Sequence, residues 1–458
     1  MRDGIKSCAQ NAAILLLVAL TVFQTGQLWL GASSSHDFFN LFESLLTRGS
    51  ENEEQGVGFA SPYRLVFGAP GGELKLKYGD IANDEGKEYG DRIIAEFLKS
   101  GEFVARGVSD LRKITNGWFV VYDYAFAMPA QLFARCYGQR GAAFVSQVEA
   151  FDRLVIAPSE TGGETRLFFI DSGEDLTYEF KANADGGAAG GLVSAISAAR
   201  GIRCALFSGG LFVTDAFVPI IEGGFSFKPV YVVNPYAQGG RAAIYTVEKE
   251  IDLFFANPIA KSAVTAADVF MFSDSSVVVK YYSNHILEYQ NFKTETARGD
   301  SGVIADYAAA AAFIAKDTNV VNDFYLAGYA EDGFKRSFYF DYAVDGFRLI
   351  IPDAMRIKSE LGTDRAIEIT VEAGRVVYYK KIAYSFWPDA ELMEEADRGF
   401  ASMFDEAFGS YFMYDADPGV VQDIELGYKL ANSSQLYLNW FMRINDVNYV
   451  SPAQARPN

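Results

Sequence analysis

The chain has 458 residues, of which 50% are apolar, 15% are aromatic and 22% are charged. This length and composition indicate about three folded domains and exclude a disordered or collagen-like chain. The 40 Lys and Arg residues against 59 Asp and Glu residues give a net charge of −19, which disfavours nucleic acid as a partner because phosphates would be repelled. Three cysteines and two histidines exclude a disulfide scaffold and a Cys/His zinc cluster, so we predict no metal and no cofactor.

The N-terminal segment predicts a membrane span. A long charge-free stretch follows Lys6, and a helix from Ala12 to Leu30 has about 19 residues, enough to cross roughly 30 Å of hydrocarbon. Trp29 lies where interfacial aromatic residues belong. Because Arg2 and Lys6 precede the span, the positive-inside bias predicts a single-pass protein of the cell membrane, with a cytoplasmic N-terminus and extracytoplasmic C-terminal domains.

Two features of this segment have alternative interpretations. Leu30-Gly31-Ala32 offers a weak cleavage site, so a cleaved signal peptide is the alternative to the retained signal anchor that we favour. Thr21, Gln24 and Gln27 form a polar stripe on one side of the helix, and we predict that they contact a partner's membrane helix because polar groups facing lipid are costly. Alternatively, the two glutamines lie in the outer headgroup zone, where Gln is tolerated.

Changes in composition along the chain predict its domain organisation. We assign 1–34 to the cytoplasmic end and transmembrane helix, and 35–58 to a juxtamembrane helix and linker. Three exported α+β domains follow, at 59–190, 191–300 and 301–458.

The run Gly186–Gly191 is the clearest small-residue break in the chain, and we predict a flexible turn there. A dinucleotide-binding loop is disfavoured, because its G-x-G-x-x-G pattern requires glycine where Ala188 stands. The segment Arg298–Gly302 supplies the second boundary between exported domains.

The exported region mixes helical and β-rich patterns, which predicts an α+β fold with mostly antiparallel sheets after the single transmembrane helix. β-branched and aromatic runs predict strands at Tyr63–Phe67, Trp118–Tyr124, Leu154–Ala157 and Arg166–Ile170. Apolar residues at helical spacing predict helices at 93–98, at 244–255 ending before Pro258, and at 307–315. Turn residues predict three hairpins, with strands Val269–Phe272 and Val277–Tyr282, Ser337–Tyr342 and Phe347–Ile351, and Ala366–Val371 and Val376–Ile382.

Histidine-dependent catalysis finds little support in the sequence. A Ser-His-Asp triad would need His36, which abuts the predicted span, or His285, which follows a predicted strand as an ordinary loop residue. No G-x-S-x-G, H-E-x-x-H or C-x-x-C motif is present. We therefore predict no catalytic residue.

Acidic residues offer two weaker alternatives. Asp389 with Glu391, or Glu394 with Glu395, has the residue types of a glycosidase acid and base, but acidic residues in an exported acidic chain are mostly solvated. The segment 415–419 resembles a calcium loop but lacks ligands at the required spacing.

The cysteines leave one question open. Cys136 and Cys204 both lie in the exported region, so a disulfide between them is permitted, whereas Cys8 precedes the span. We favour free buried thiols, which are the more common state when cysteines are this sparse.

One stretch of the exported region resembles the YycH family. Asp252–Pro258, Phe272–Asp274, Val279–Tyr282 and Leu287–Asn291 follow the family's progression of FF-x-NP, strand, turn and L/M-EY-x-N. Further on, 366–379 is similar to its closing strand pair, an I-x-I-x-V strand and a V-x-Y strand joined by a glycine turn. The single span and the size of the exported region also resemble this family.

This resemblance implies a non-enzymatic, membrane-anchored regulator of the essential sensor histidine kinase that controls cell-wall metabolism in Gram-positive bacteria. It also implies a second single-span partner similar to YycI, with contacts through membrane helices and exported domains. Two alternatives remain. One is an exported, anchored hydrolase acting on cell wall or carbohydrate, and the other is a ligand-binding or chaperone-like ectodomain.

Overall fold

The structure is a computed structural model that describes most of the chain after residue 58. The described residues are 59–454, apart from 80, 109, 140–141, 160–163, 184–185, 210–211, 222–223, 235–246, 267–268, 294–300, 318–319, 321–322, 352–364, 412–420, 431–433 and 445–446.

The first sheet has nine strands and is antiparallel throughout. Its strands in chain order are β1 (Arg64–Gly68), β2 (Leu74–Tyr78), β3 (Glu102–Val108), β4 (Phe119–Pro129), β5 (Ala150–Ala157), β6 (Glu164–Asp171), β7 (Leu176–Asn183), β8 (Ile202–Gly209) and β9 (Phe212–Pro219). Across the sheet the order is β3-β7-β6-β5-β4-β1-β2-β8-β9. The four strands predicted in this region are confirmed as β1, β4, β5 and β6.

The remaining described strands form three further sheets. They are β10 (Phe225–Phe227), β11 (Val230–Val233), β12 (Ser262–Thr265), β13 (Val269–Ser273), β14 (Val277–Tyr282), β15 (Ile286–Asn291), β16 (Asp323–Asp332), β17 (Lys335–Val344), β18 (Phe347–Ile350), β19 (Ile367–Glu372), β20 (Arg375–Ile382), β21 (Ser385–Pro388), β22 (Glu394–Ala396), β23 (Val421–Lys429), β24 (Gln435–Leu436), β25 (Leu438–Ile444) and β26 (Val447–Pro452). The large sheet runs β12-β13-β14-β15-β20-β19-β17-β18-β23-β25-β26, with β16 on β17. Small sheets pair β10 with β22, and β11 with β21 and β24. The fold is therefore mixed α+β with mostly antiparallel sheets.

Strand pairs cross both predicted boundaries between exported domains. In the first sheet Leu74 of β2 is opposite Cys204 of β8, on the other side of residue 190. In the large sheet Tyr289 of β15 is opposite Tyr379 of β20, on the other side of residue 300.

The three predicted hairpins are confirmed as β13–β14, β17–β18 and β19–β20. Two of their turns have positive φ at both central residues, Asp345 (49°) with Gly346 (83°) and Ala373 (52°) with Gly374 (77°). Turns of this kind match the right-handed twist of the flanking strands, which is why Asp-Gly between apolar runs is a strong local signal.

Helices cover parts of both large sheets. They are α1 (Glu85–Ser100), α2 (Leu111–Ile114), α3 (Ala130–Cys136), α4 (Ala142–Val145), α5 (Gly186–Ala198), α6 (Val303–Lys316) and α7 (Phe400–Tyr411). Asp84 caps α1, because its carboxylate accepts hydrogen bonds from the backbone N–H groups of Gly86 (2.8 Å) and Lys87 (3.4 Å). The predicted helix before Pro258 is seen at 247–251 and ends in a 3₁₀ turn at Asp252–Phe254.

The glycine-rich run that begins at Gly186 is helical, so the predicted flexible turn is wrong. Helix α5 packs on α1. A Cβ atom added to Gly191 would lie 2.3 Å from a ring carbon of Tyr89 on α1, so the glycine permits this close approach of the two helices. Burial of Leu192 and Ile196 offsets the cost of helical glycine, which is about 1 kcal/mol per residue.

Both faces of the first sheet are buried. On one face, Leu65 and Phe67 of β1 belong to a core that includes Phe97 of α1 and continues into the large sheet. On the other face, Val66 packs in a separate cluster with Phe217. Alternating residues of one strand therefore supply two cores.

Six charged side chains, three arginines and three carboxylates, form an inter-sheet ion cluster between the first and large sheets. The first sheet supplies Arg64, Asp123 and Arg153, and the large sheet supplies Arg348, Asp423 and Glu425. Arg64 is fully buried and bridges the sheets, because its Nε lies 2.5 Å from Oδ2 of Asp123 and its Nη2 lies 2.8 Å from Oδ1 of Asp423. Nη1 of Arg348 contacts both carboxylate oxygens of Glu425, at 3.0 and 3.2 Å.

The ring of Tyr63 lies between two of these arginines. The guanidinium carbons of Arg64 and Arg348 are 5.0 and 4.8 Å from its centroid, within the range of cation–π attraction. Nε of Arg348 also donates a hydrogen bond of 2.6 Å to the hydroxyl of Tyr325. Aromatic rings and carboxylates together offset part of the cost of burying the guanidinium groups, although Nη1 of Arg64 is buried without a hydrogen-bond partner among the described residues.

The two carboxylates on β23 have opposite pKa shifts. Burial raises the pKa of Glu425 to about 7, although Arg348 opposes the shift. Burial also acts to raise the pKa of Asp423, but Arg64, Arg153 and Arg348 outweigh it, so the pKa is lowered. Asp423 interacts with three arginines, so its carboxyl stays charged.

The described residues contain no helix that is both long and apolar enough to cross a membrane. The predicted span and juxtamembrane helix fall in 1–58, outside the residues that the structure describes. They stay predictions.

We expect Arg64→Ala to lower the free energy of unfolding by about 3 to 5 kcal/mol, because it removes the buried guanidinium that pairs with both Asp123 and Asp423. Denaturant unfolding followed by far-ultraviolet circular dichroism measures this loss. The control is Arg166→Ala, which removes an exposed ion pair to Glu179 and is expected to cost less than about 1 kcal/mol. Equal losses for the two variants would contradict the role of the cluster.

We also expect stability to fall as pH rises from about 4.5 to about 7. The folded-state pKa of Glu425 is raised, so the folded state binds this proton more tightly than the unfolded chain does and loses up to about 3 kcal/mol as the proton dissociates. Glu425→Gln keeps the shape and cannot ionise, so the variant should show a flatter stability profile across this window. Denaturant midpoints at pH 5, 6, 7 and 8 test this, and parallel profiles for the two proteins would refute it.

Candidate interaction surface

Strand β11 has one buried and one exposed face. Its sequence Val-Tyr-Val-Val is β-branched and aromatic, as a pleated surface favours. Val230 is fully buried, whereas Tyr231 and Val233 are exposed. On the neighbouring strand β21, Phe386 is buried and Trp387 is exposed. The three-stranded sheet therefore covers the core with one face and presents the other to solvent.

Four large side chains make up the exposed side, which we term the aromatic face: Tyr231, Val233, Trp387 and Tyr437. Each is 41% or 42% exposed. Tyr231 is directly opposite Trp387 on β21 and Gln435 on β24. The hydroxyl of Tyr437 donates a hydrogen bond of 3.0 Å to Oε1 of Gln435, which brings its ring to the same side.

A capped turn extends the aromatic face. The carboxylate of Asp389 accepts hydrogen bonds from the backbone N–H groups of Glu391 (2.9 Å) and Leu392 (3.0 Å), and from the Tyr231 hydroxyl. These donors lower the pKa of Asp389, and its carboxylate in turn raises the pKa of Tyr231. The turn leaves Leu392 and Met393 exposed beside the strands.

His285 lies in the turn between β14 and β15, at a positive φ of 64°. Its Nδ1 is 3.0 Å from Nδ2 of Asn234, which follows β11, and 2.9 Å from the Tyr281 hydroxyl. Its ring is 4.8 Å from that of Tyr384, and burial lowers its pKa. In a Ser-His-Asp triad this nitrogen faces a carboxylate, so an amide and a phenol at Nδ1 favour a structural histidine.

The acidic pairs do not form a glycosidase site. Asp389 caps a turn and its pKa is lowered, whereas a general acid needs a raised pKa. Glu394 and Glu395 are neighbours on β22, so they point to opposite faces of the strand. Oε2 of Glu394 accepts a hydrogen bond of 3.1 Å from Gln454.

Cys136 and Cys204 are free, buried thiols. They belong to the core clusters on opposite faces of the first sheet. Burial raises the pKa of both, which makes them inert. Among the described residues no three His, Cys, Asp or Glu side chains converge as metal ligands, and the segment 415–419 lies outside them.

The residues predicted to contact partners in the membrane lie outside the described part of the chain. These are Thr21, Gln24 and Gln27 of the polar stripe. Trp29, which we predict at the membrane interface, also lies outside the described residues, as do His36 and Cys8. Their roles stay predictions.

The stretch that resembles the YycH family is packed together in the structure. Phe254 lies 5.6 Å from Tyr289 on β15 and 5.5 Å from Phe313 on α6, measured between ring centroids. Asn257 caps the next 3₁₀ turn by accepting a hydrogen bond from the backbone of Ile259. The residues of this pattern therefore have a structural role: they hold a helical turn against the large sheet.

Sequence reasoning missed the aromatic face. Its strands are only two to four residues long and come from three distant parts of the chain. The one local signal was Trp387 before Pro388 and Asp389, an aromatic residue entering a polar turn. Exposure of Tyr231 depends on pairing with a strand more than 150 residues away, which no local pattern reports.

The geometry defines a mixed α+β protein with an exposed aromatic sheet face. No protein-family model and no curated protein matches the sequence. Among solved structures, the chain is similar to YycH from Bacillus subtilis, with a TM-score of 0.49 and 14% identity over 87% of this chain and 96% of that one. It is also similar to an uncharacterized protein from Eubacterium rectale, with a TM-score of 0.36 and 10% identity over 56% of this chain and 92% of that one. Likenesses of this size assign neither a function nor a partner.

Proposed function

We propose that the chain is a non-enzymatic, membrane-anchored regulator of a two-component sensor histidine kinase that controls cell-wall metabolism. It contacts the kinase, and a co-regulator similar to YycI, through its transmembrane helix and its exported region. The sequence resemblance to the YycH family motivates the choice of partners. The observation that carries the proposal is the aromatic face, because it offers a protein a place to bind.

The composition of the aromatic face fits protein recognition. Trp and Tyr are enriched among the residues that dominate binding energy at interfaces, since they bury large areas with few rotatable bonds. Tyr231 and Trp387 are opposed across two strands, so backbone hydrogen bonds hold their positions before a partner arrives. A preorganised surface loses less conformational entropy on binding.

Catalysis has no comparable support among the described residues. His285 faces an amide and a phenol, and Asp389 serves as a turn cap. The candidate groups for an exported hydrolase are therefore engaged in local structure.

We expect Trp387→Ala to weaken binding of the full-length chain to the kinase by about tenfold or more, because truncating a central aromatic anchor costs about 2 kcal/mol or more. Co-purification from membranes followed by titration of detergent-solubilised proteins measures the loss. Phe334→Ala is the matched control, because Phe334 is an exposed aromatic residue at the β16–β17 turn. Circular dichroism checks that both variants fold.

Unchanged kinase binding by a folded Trp387→Ala variant would remove the aromatic face from the proposal. Equal losses in the Trp387 and Phe334 variants would show that the effect is not specific to this surface.

The polar stripe requires a separate experiment. Replacing Gln24 and Gln27 together by Leu keeps the helix apolar and should preserve insertion. We expect a loss of about threefold to tenfold in association with the kinase, because interhelical polar contacts contribute about 0.6 kcal/mol each on average. An alkaline phosphatase fusion at the C-terminus checks insertion and topology. Association like that of wild type would assign all binding to the exported region.

A further inference from the structure

The aromatic face has an acidic border. The segment 384–396, which contains β21, the capped turn and β22, carries Asp389, Glu391, Glu394 and Glu395 and no Lys or Arg. The other two strands of the sheet, β11 and β24, carry no charged residue at all. Glu394 and Glu395 belong to β22 of another sheet and point to opposite faces of that strand. Exposed π-faces and an acidic turn, with Glu391 exposed in it, therefore occur together.

Each of these properties attracts the same kind of group. Trp and Tyr rings attract a guanidinium or ammonium ion over their faces, and Trp is the strongest of the aromatic side chains in this respect. Carboxylates beside such rings add Coulomb attraction and raise the rate of encounter with a cationic partner. An anionic surface such as a nucleic acid or an acidic lipid would be repelled.

The same chemistry operates inside the molecule. Arg348 lies over the rings of Tyr63 and Tyr325, at 4.8 and 5.3 Å, while it pairs with Glu425. There the arginine, the rings and the carboxylate all come from this chain. On the aromatic face the rings and the carboxylates are present and exposed.

We propose that the aromatic face binds a basic segment of a partner protein, whose Arg or Lys side chains stack on Trp387 and Tyr231 and pair with Glu391. This deepens the proposed function, since it rests on the aromatic face being the binding surface and adds the charge of the partner. Tyr231 and Trp387 are directly opposite each other on paired strands, so their rings share one side of the sheet before binding.

The test uses the full-length chain in an uncharged detergent and three synthetic peptides, (Gly-Arg)₅, (Gly-Gln)₅ and (Gly-Glu)₅. Isothermal titration calorimetry measures binding at 50 and 300 mM NaCl. The Arg peptide should bind and weaken at the higher salt concentration, because exposed charge pairs are screened. The Gln and Glu peptides should not bind.

Two kinds of variant separate the contributions. Trp387→Leu keeps an apolar side chain and removes the π-face, and it should weaken binding of the Arg peptide about threefold or more. The variant E391Q removes the exposed charge in the turn beside the rings and should weaken binding and flatten its salt dependence. The matched controls Phe334→Leu and E73Q, at exposed sites elsewhere, should bind the Arg peptide like wild type.

Equal binding of the Gln and Arg peptides, or wild-type binding by both test variants, would overturn the inference. So would a self-association in analytical ultracentrifugation that Trp387→Leu abolishes, because the occupant would then be a second copy.

The outcome for the kinase is separate. If Trp387→Ala abolishes kinase binding but E391Q and salt leave it unchanged, the proposed function stands and the basic partner segment is refuted. If the Arg peptide binds as expected while Trp387→Ala leaves kinase binding intact, the face accepts cations and the kinase binds elsewhere.

Discussion

The inter-sheet ion cluster is the constraint on which the arrangement of the two large sheets depends. Arg64 belongs to β1 near the start of the first sheet, and Asp423 belongs to β23 of the large sheet, yet their side chains are 2.8 Å apart. Removing these charges from water is expensive, and the cost is offset only if every arginine meets its carboxylate. Each ion pair requires a particular distance and orientation, so the cluster favours the packing in which Arg64 reaches both Asp123 and Asp423, beside the apolar core that the two sheets share.

Local chemistry made the hairpins of the large sheet predictable. Asp345-Gly346 and Ala373-Gly374 take up the positive φ angles of their turns within a few residues of the strands they join. The failure at Gly186–Gly191 has the opposite cause. Here glycine serves close packing of two helices and not a turn, because Tyr89 of a distant helix occupies the space that a side chain at Gly191 would need.

The aromatic face and the inter-sheet ion cluster were beyond sequence reasoning for a related reason. Tyr231 and Trp387 become neighbours through β pairing, and Arg64 and Asp423 through the docking of two sheets. Neither pair has a spacing, a motif or a composition that marks it. A charged residue in an apolar run such as Tyr63–Phe67 was nonetheless a usable signal, because a buried arginine must have a partner somewhere in the fold.

The separation of Arg64 and Asp423, 359 residues along the chain, bears on how this protein acquires its structure. Contacts between such distant residues close very long loops, and folds that rely on them assemble slowly. The first sheet precedes β23 along the chain, so during synthesis Arg64 can pair with Asp123 before Asp423 is made. Docking of the two large sheets therefore requires the last strands of the chain, which supply the second carboxylate to an arginine that its own sheet has already half paired.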